Sequence, residues 1–307
     1  MRVLVTGSTG LIGSQLCHEL VEAGHEVWSV ARSRAPEAQL ARHCQSDIDS
    51  PEARDLDGPR LVDDLARQAE AIVHLAGLSD ASLSYRQPVT YAVVNAQGTL
   101  AMLEAARQSG AVFVLASSQR LYRPSREPLR EDSPRQPVDP YGYSKLVAET
   151  WCEMYRSLYD LPTTVLRFFS VYGPGQRLTG GSSGVVSIFV HRAVAGLDLV
   201  ARRNVMRDFT YVTDVTAALR QAVERPQPGV YNVATGVGTS VLDLAHLVRE
   251  VSGASCQIVE ELGDGEASYV ADITLARSVL GYQPRVTLRE GLERYVRWAR
   301  ESTGNPA

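Results

Sequence analysis

Cysteine is scarce in this chain. Its four residues, Cys17, Cys44, Cys152 and Cys256, lie far apart, with no C-x-x-C pair and no metal-ligand spacing. This excludes a zinc-ribbon type of site and a disulfide framework, and reads as reduced thiols packed in a cytosolic protein. Long apolar runs are missing too. None approaches the roughly 18 residues that a membrane span requires. The first residues enter a strand directly, without the basic start, apolar stretch and cleavage site of a signal peptide. The expectation is a soluble, cytoplasmic protein with no membrane partner. A strong charge excess is also absent: 31 basic and 35 acidic side chains leave a net charge of −4. Such a balance gives no reason to expect nucleic acid or an anionic membrane as a partner.

What is present is an alternating α/β pattern. At 307 residues the chain has room for one large domain or two modest ones, and 44% hydrophobic with 21% charged residues is ordinary for a globular protein. Arg2-Val3-Leu4-Val5-Thr6 is a short β-branched run that leads into glycine, a buried strand. Leu11 to Ala23 carries Leu11, Ile12, Leu16, Leu20 and Val21 at helical spacing, ended by Gly24, and Glu26 to Val30 is a second strand. The pattern continues through strands at 71–75, 111–116 and 163–168 and helices at 96–107 and 143–159. This predicts a Rossmann-type doubly wound parallel sheet. After residue 170 the alternation loosens. "YGPGQRLTGGSSG" (172–184) reads as a loop bordering a site. Ser240 with Asp243 has the form of a helix start, and "VYNVA" (230–234) and "SYVAD" (268–272) are strand-like pieces expected to return to the sheet or its edge. The expected division is a dinucleotide-binding part, 1–169 plus about 205–235. A smaller, interleaved substrate part covers about 170–204 and 236–307.

Gly7-x-x-Gly10-x-x-Gly13 falls between the first strand and the first helix. Glycines there make the tight turn and let a pyrophosphate approach the backbone, where the first helical amides face its charge. An NAD site normally has a carboxylate about 20 residues on, for the ribose hydroxyls. This chain instead has Ala31 followed by Arg32, Ser33 and Arg34. Guanidinium donors without the acid suit the 2′-phosphate of NADP; a solvated basic loop beside an NAD site is the alternative. Asp47 and Ile48 are placed by spacing to meet the adenine.

"PYGYSK" puts Tyr141 and Lys145 four residues apart at the start of a helix, on one face. A phenol has a pKa of about 10, and bringing it near 7 takes roughly 4 kcal/mol of preferential phenolate stabilisation. A lysine one turn away, with the positive ring of an oxidised nicotinamide, could supply it. "LASSQRLY" ends the preceding strand with Ser117 and Ser118 at the carboxyl edge, where a hydroxyl can hold a substrate oxygen and relay its proton to Tyr141.

From end to end the chain resembles the extended short-chain dehydrogenase/reductase superfamily, in its nucleotide-sugar epimerase and dehydratase branch. The matching segments are "VTGSTGLIG", "IVHLAG" (72–77), "VNAQGT" (94–99), "SSQRLY", "YGYSK", "LRFFSVYGPGQR" (166–177), "RDFTYVTDV" (207–215), "YNVATG" and "VLGYQPRVTLREGL" (279–292). The resemblance implies a cofactor domain with a small substrate domain that takes a hexose on a nucleoside diphosphate. It implies Ser118, Tyr141 and Lys145 as the catalytic group and Asn95 as the buried asparagine beside the cofactor. Leu11, Ile12, Leu75, Ala76, Gly77 and Phe168 would be further cofactor contacts. Arg207 would touch the diphosphate and Ser170 the sugar nucleotide. It also implies a homodimer through the helices beginning near Ala96 and Tyr143.

Departures from the family pattern narrow the chemistry. Dehydratases of this branch carry an acidic pair where this chain has Gln119 and Arg120, neither of which can act as a carboxylate. Relatives that decarboxylate carry a glutamate there. What remains is oxidoreduction at one sugar carbon, C4. Ser170 stands for an expected asparagine and Arg123 for a glycine. Glu260 and Glu261 would repel a diphosphate, whereas "ARRNVMRDF" (201–209) adds Arg202 and Arg203, which could share the phosphate grip or simply end a solvated strand. The leading reading is a nucleotide-sugar 4-epimerase. The runner-up is an NADPH-dependent 4-ketoreductase, which the Arg32 region favours. A non-catalytic NAD(P)-sensing regulator and an enzyme for a small carbonyl compound without a nucleotide are the other classes.

Overall fold

The computed structural model describes residues 1–32, 42–45, 65–176, 184–262 and 268–303. Among them seven strands form one parallel sheet. In chain order these are β1 (Arg2–Thr6), β2 (Glu26–Ala31), β3 (Arg42–Gln45), β4 (Ala71–His74), β5 (Val112–Ser118), β6 (Thr163–Phe168) and, much later, β11 (Gly229–Val233). Their spatial order is β11-β6-β5-β4-β1-β2-β3. The chain thus winds outward from β1 in one direction and then reverses, so the crevice at the carboxyl ends of β1 and β4 is the topological switch point. Register is set pairwise, with Val5 opposite both Ser29 and Val73 and Ser118 opposite Phe168.

Successive residues of each strand serve opposite faces, as the pleat requires. Val3, Val5, Val73 and Val114 join a core under helix α1 (Leu11–Glu22), with Leu16, Cys17 and Leu20. Leu4, Trp28, Ile72, Phe113 and Leu115 face the other way, against helix α2 (Gly98–Ser109) and helix α3 (Pro140–Tyr159). This burial on both sides explains the continuous apolar reading of the strands. The strand-like stretch 230–234 joins the sheet edge as β11, beside β6. The helix expected from residue 143 starts earlier. Asp139 caps it, its Oδ1 accepting from the Gly142 amide at 2.7 Å, and Pro140 fills the first helical position.

A second, smaller core is interleaved with the first. It gathers β7 (Val171–Tyr172), α4 (Val185–Val194), β8 (Leu199–Arg203), β9 (Met206–Asp208), β10 (Thr210–Tyr211), β12 (Gly238–Ser240), α6 (Val241–Ser252), β13 (Ile258–Leu262) and α7 (Leu288–Thr303) around Phe209, Tyr211 and Tyr295. In α7 the buried residues Leu292, Tyr295, Val296 and Ala299 keep one helical face. Helix α5 (Val212–Glu224) instead returns to the sheet, where Val215, Ala218, Leu219 and Ala222 share the core of α1. One expectation is corrected. The segment 268–272 does not rejoin the large sheet; it makes single bridges, Tyr269 to Arg207 and Ala271 to Leu129. Its backbone bonds go to Ser125, Leu129, Met206 and Asp208, none of which belongs to the large sheet. Ser240 caps α6 as expected, accepting from the Asp243 amide at 2.9 Å.

Candidate active site

The glycine turn is dictated by packing. Gly7 has φ +72° and donates its amide to the Val30 carbonyl at 2.8 Å. A Cβ on Gly13 would lie 2.3 Å from the Gly7 carbonyl oxygen and 2.8 Å from Ser8 Cα, so only glycine fits. Helix α1 begins with Gly10 as its N-cap, without a side-chain cap and without an acid in its first turn. The amides of Leu11, Ile12 and Gly13 therefore present an uncompensated positive end. This cradle fits a dinucleotide pyrophosphate.

The loop after β4 packs onto the turn. A Cβ on Gly7 would meet the Ala76 amide nitrogen at 2.7 Å. Thr6 Oγ1 accepts from the Ala76 amide at 3.2 Å and bonds His74 Nδ1 at 2.8 Å. The buried Asn95 then ties this loop to α3. Its Oδ1 accepts from the Leu78 amide at 2.8 Å, and its Nδ2 donates to the Leu78 carbonyl and to Ser144 Oγ. A Cβ on Gly77 would come within 3.5 Å of Lys145 Nζ. Gly7, Leu75, Ala76, Gly77, Asn95 and Lys145 thus form one wall.

Tyr141 and Lys145 lie on the first turns of α3, buried, opposite the carboxyl end of β5. The Ser118 hydroxyl lies beside the phenol and favours its ionised form. Lys145 Nζ donates to the Ala116 carbonyl at 3.0 Å. Burial lowers its pKa to about 8, against the opposing pull of the Glu149 carboxylate. The acidification of Tyr141 expected from Lys145 together with a bound cofactor is not supplied by the chain alone. In the chain alone burial pushes the phenol up, and the groups that oppose this are Ser118 and then Arg120, while Asp139 adds to the rise. Lys145 is not among the groups that shift the phenol, and its ammonium donates to a main-chain carbonyl.

The structure adds Asp139 and Tyr269, which the sequence reading passed over, and places Arg120, Arg207, Gln119 and Ser170, which it named. Arg120 Nη1 meets Asp139 Oδ2 at 3.4 Å, and its guanidinium stands 5.9 Å from the centre of the Tyr269 ring. Arg207 lies at 5.1 Å from that ring, its pKa lowered to about 10 by burial and by Arg120. Gln119 is buried and donates to Ser170 Oγ at 3.3 Å. Ser170 has φ +23°, close to the left-handed region that asparagine tolerates well, which accounts for the residue expected there. Asp139 directly before Pro140 was the legible signal for the cap; nothing local marked Tyr269.

Arg202 and Arg203 are exposed on β8. Arg203 pairs with Glu260 across the β8–β13 ladder, in which Arg202 is in register with Glu261. The acids expected to repel a diphosphate therefore sit beside these arginines, and the charge of Arg203 is already compensated. Arg32 is exposed at the end of β2. Arg34, Asp47 and Ile48 lie outside the described residues. Among the described residues no helix is long and apolar enough to cross a membrane, and no cluster of histidine, cysteine and acidic side chains could hold a metal ion.

Comparison with known proteins agrees with this geometry. Residues 3–234 match the profile of the NAD dependent epimerase/dehydratase family. The UDP-glucose 4-epimerase of Mycolicibacterium smegmatis is 34% identical over 316 residues, covering 99% of this chain and 100% of the relative. The structure of the UDP-glucose 4-epimerase of Thermotoga maritima with UDP-glucose superposes with a TM-score of 0.89 at 31% identity, covering 99% of this chain and all of that one. MoeE5 in complex with UDP-glucuronic acid and NAD gives 0.87 at 32% identity, covering 98% and 100%.

Proposed function

The chain belongs to the NAD dependent epimerase/dehydratase family and is an enzyme of the extended short-chain dehydrogenase/reductase type, and on that premise we propose that it is a nucleotide-sugar 4-epimerase. The observation that carries this reading is the juxtaposition of Ser118, Tyr141 and Lys145 with the loop at Gly77 that leans on the first glycine turn. One crevice can thus bring a sugar hydroxyl and a nicotinamide together.

Gly7, Gly10 and Gly13, with Leu11 and Ile12, would hold the pyrophosphate. Leu75, Ala76, Gly77, Asn95 and Phe168 would line the nicotinamide half, and Lys145 would bond its ribose. When bound, the dinucleotide would supply the acceptor and donor of a hydride. The chain handles the proton. Tyr141 takes it from the 4-hydroxyl, with Ser118 holding the same oxygen. Ionising a buried phenol near neutral pH requires roughly 4 kcal/mol of stabilisation. The Ser118 hydrogen bond and the Arg120 charge supply part of it. Arg207 would face the diphosphate and Ser170 the sugar. With Gln119 and Arg120 where a dehydratase needs carboxylates, no residue beside Ser118 is set to eliminate water.

Arg32, and Arg34 by sequence, favour NADP over NAD, and with it the NADPH-dependent 4-ketoreductase as a second reading. The test is to incubate the protein with UDP-glucose and NAD, or NADP, and follow anomeric protons by NMR. Appearance of the C4 epimer without net reduction of cofactor supports the epimerase. Stoichiometric consumption of NADPH by a 4-keto nucleotide sugar, with no epimer formed, overturns it in favour of the reductase. A homodimer through α2 and α3 fits the exposed Tyr143 and Val147, one turn apart on α3. Sedimentation of wild type against Tyr143→Glu checks it.

A further inference from the structure

The residue after Gln119 brings a charge into a place where a neutral hexose has no use for one. Arg120 follows Ser118 by two positions, and its amide donates to Ser118 Oγ at 3.2 Å. The first turn of α3 packs on its backbone, since a Cβ on Gly142 would lie 2.4 Å from the Arg120 carbonyl oxygen. The main chain of Arg120 is thereby fixed beside Tyr141. Its guanidinium is held more loosely. One nitrogen reaches Asp139 at 3.4 Å, the remainder lies over the Tyr269 ring, and about a third of the side chain is exposed. Asp139 already gives its other oxygen to the Gly142 amide. Arg207 stands 5.1 Å from the centre of the same ring, so two guanidiniums flank Tyr269. Next to Arg120, Gln119 Oε1 is buried with no hydrogen-bond partner among the described residues, an acceptor that awaits a donor.

Asp139 engages one nitrogen of this guanidinium, and a planar guanidinium meets a carboxylate best through two parallel bonds, which its exposed part leaves room for. We infer that Arg120 selects a sugar ring bearing a carboxylate, a nucleotide-linked uronic acid, over the uncharged hexose. Gln119 Oε1 accepts from a ring hydroxyl of the same sugar. Arg207 is left to the diphosphate. The inference rests on the proposed nucleotide-sugar site, but not on which reaction occurs there.

The test is calorimetric binding of UDP-glucuronate and UDP-glucose to the full chain saturated with dinucleotide, for wild type, Arg120→Gln and Arg120→Lys. Wild type should prefer the uronate by roughly 10- to 100-fold, the weight of a charge-assisted hydrogen-bond pair. Arg120→Gln should bring the two affinities to within about threefold, and Arg120→Lys should keep part of the preference. Equal binding by wild type, or a preference that survives Arg120→Gln, overturns the assignment. If Arg120→Gln does not fold, the wild-type ratio and the lysine variant still decide. Should Arg120 act only on the acidity of Tyr141, turnover of both sugars would fall alike with the affinity ratio unchanged, which also overturns it. Preference without epimerisation sinks the proposed reaction and leaves this assignment standing. Binding of neither ligand sinks both.

Discussion

Behind Tyr141 and Lys145 lies an ion pair whose removal has a calculable cost. Arg167 on β6 and Glu149 on α3 each leave only 2% of the side chain exposed. Arg167 Nη2 donates to Glu149 Oε2 at 2.6 Å, and its Nε donates to both carboxylate oxygens at 3.0 and 3.2 Å. Its remaining nitrogen reaches the Tyr122 hydroxyl and the Glu131 carbonyl, and Ser117 Oγ donates to Glu149. Burial alone would lower the Arg167 pKa; the bonds from Glu149 more than reverse this. Replacing Glu149 by leucine would leave the guanidinium buried without a counter-charge, a loss of about 3–5 kcal/mol. With a urea slope of about 3 kcal/mol per molar, the unfolding midpoint should fall by roughly 1–1.7 M. That is a large part of the 5–15 kcal/mol that typically holds a domain together. The double variant Glu149→Leu with Arg167→Met removes both charges, and should recover to within about 2 kcal/mol of wild type. Urea titration followed by tryptophan fluorescence measures both. A single variant that loses less than about 1 kcal/mol, or a double variant no more stable than the single, would refute the reasoning.

Three further outcomes follow from the same geometry. Tyr141→Phe should lower kcat by about 10²- to 10⁴-fold while nucleotide-sugar affinity stays within a few-fold, because only the proton transfer is removed; steady-state kinetics with calorimetry checks this. Gly13→Ala would force a methyl against the Gly7 carbonyl. The folded protein should then lose dinucleotide binding, read by quenching of intrinsic fluorescence. His74 is buried, and burial depresses its pKa from 6.5 to about 3, with the Lys145 charge adding to the effect. The unfolded imidazole takes up its proton below pH 6.5 and the folded one only near pH 3. Stability is therefore intact above pH 6.5 and lost as pH falls toward 3, by up to about 4–5 kcal/mol. A His74→Gln variant should show a flatter acid limb in pH-dependent urea unfolding; an unchanged limb would reject the assignment.

The fold was legible because each parallel strand is buried on both faces, so Val3-Leu4-Val5 and Ile72-Val73 read as continuous apolar runs between helical stretches. The glycine turn was legible for a steric reason, since Gly7 and Gly13 each have backbone where a side chain would go. The Tyr141 and Lys145 pair follows from helical spacing alone. What escaped is what the chain brings together from afar. Tyr269 reaches the cleft between Arg120 and Arg207 only because the segment 268–272 leaves the sheet for bridges to Leu129 and Arg207. The Arg203–Glu260 pair depends on the parallel register of β8 and β13, which no local pattern states. Glu149 read as one more helical acid until Arg167 and Ser117 were seen to close on it.

The shifts of Tyr141 and Lys145 share one cause, and that cause constrains the chemistry. Burial raises the phenol and lowers the ammonium, so in the chain alone both groups are driven toward neutrality. A phenolate beside an ammonium is the opposite of what this interior prefers, and neither partner can be charged without help. On the lysine, the help is permanent: Glu149 lies one helical turn beyond Lys145 and pulls its pKa back up. On the tyrosine, the fixed contributions are the Ser118 hydrogen bond and the Arg120 charge, and they do not outweigh desolvation. The balance must come from what enters the crevice, a cationic ring above all. In the proposed reaction Tyr141 would then act as a base only with the cofactor seated. Glu149→Leu tests the lysine side of this argument as well, because it removes the one carboxylate that opposes the depression of Lys145.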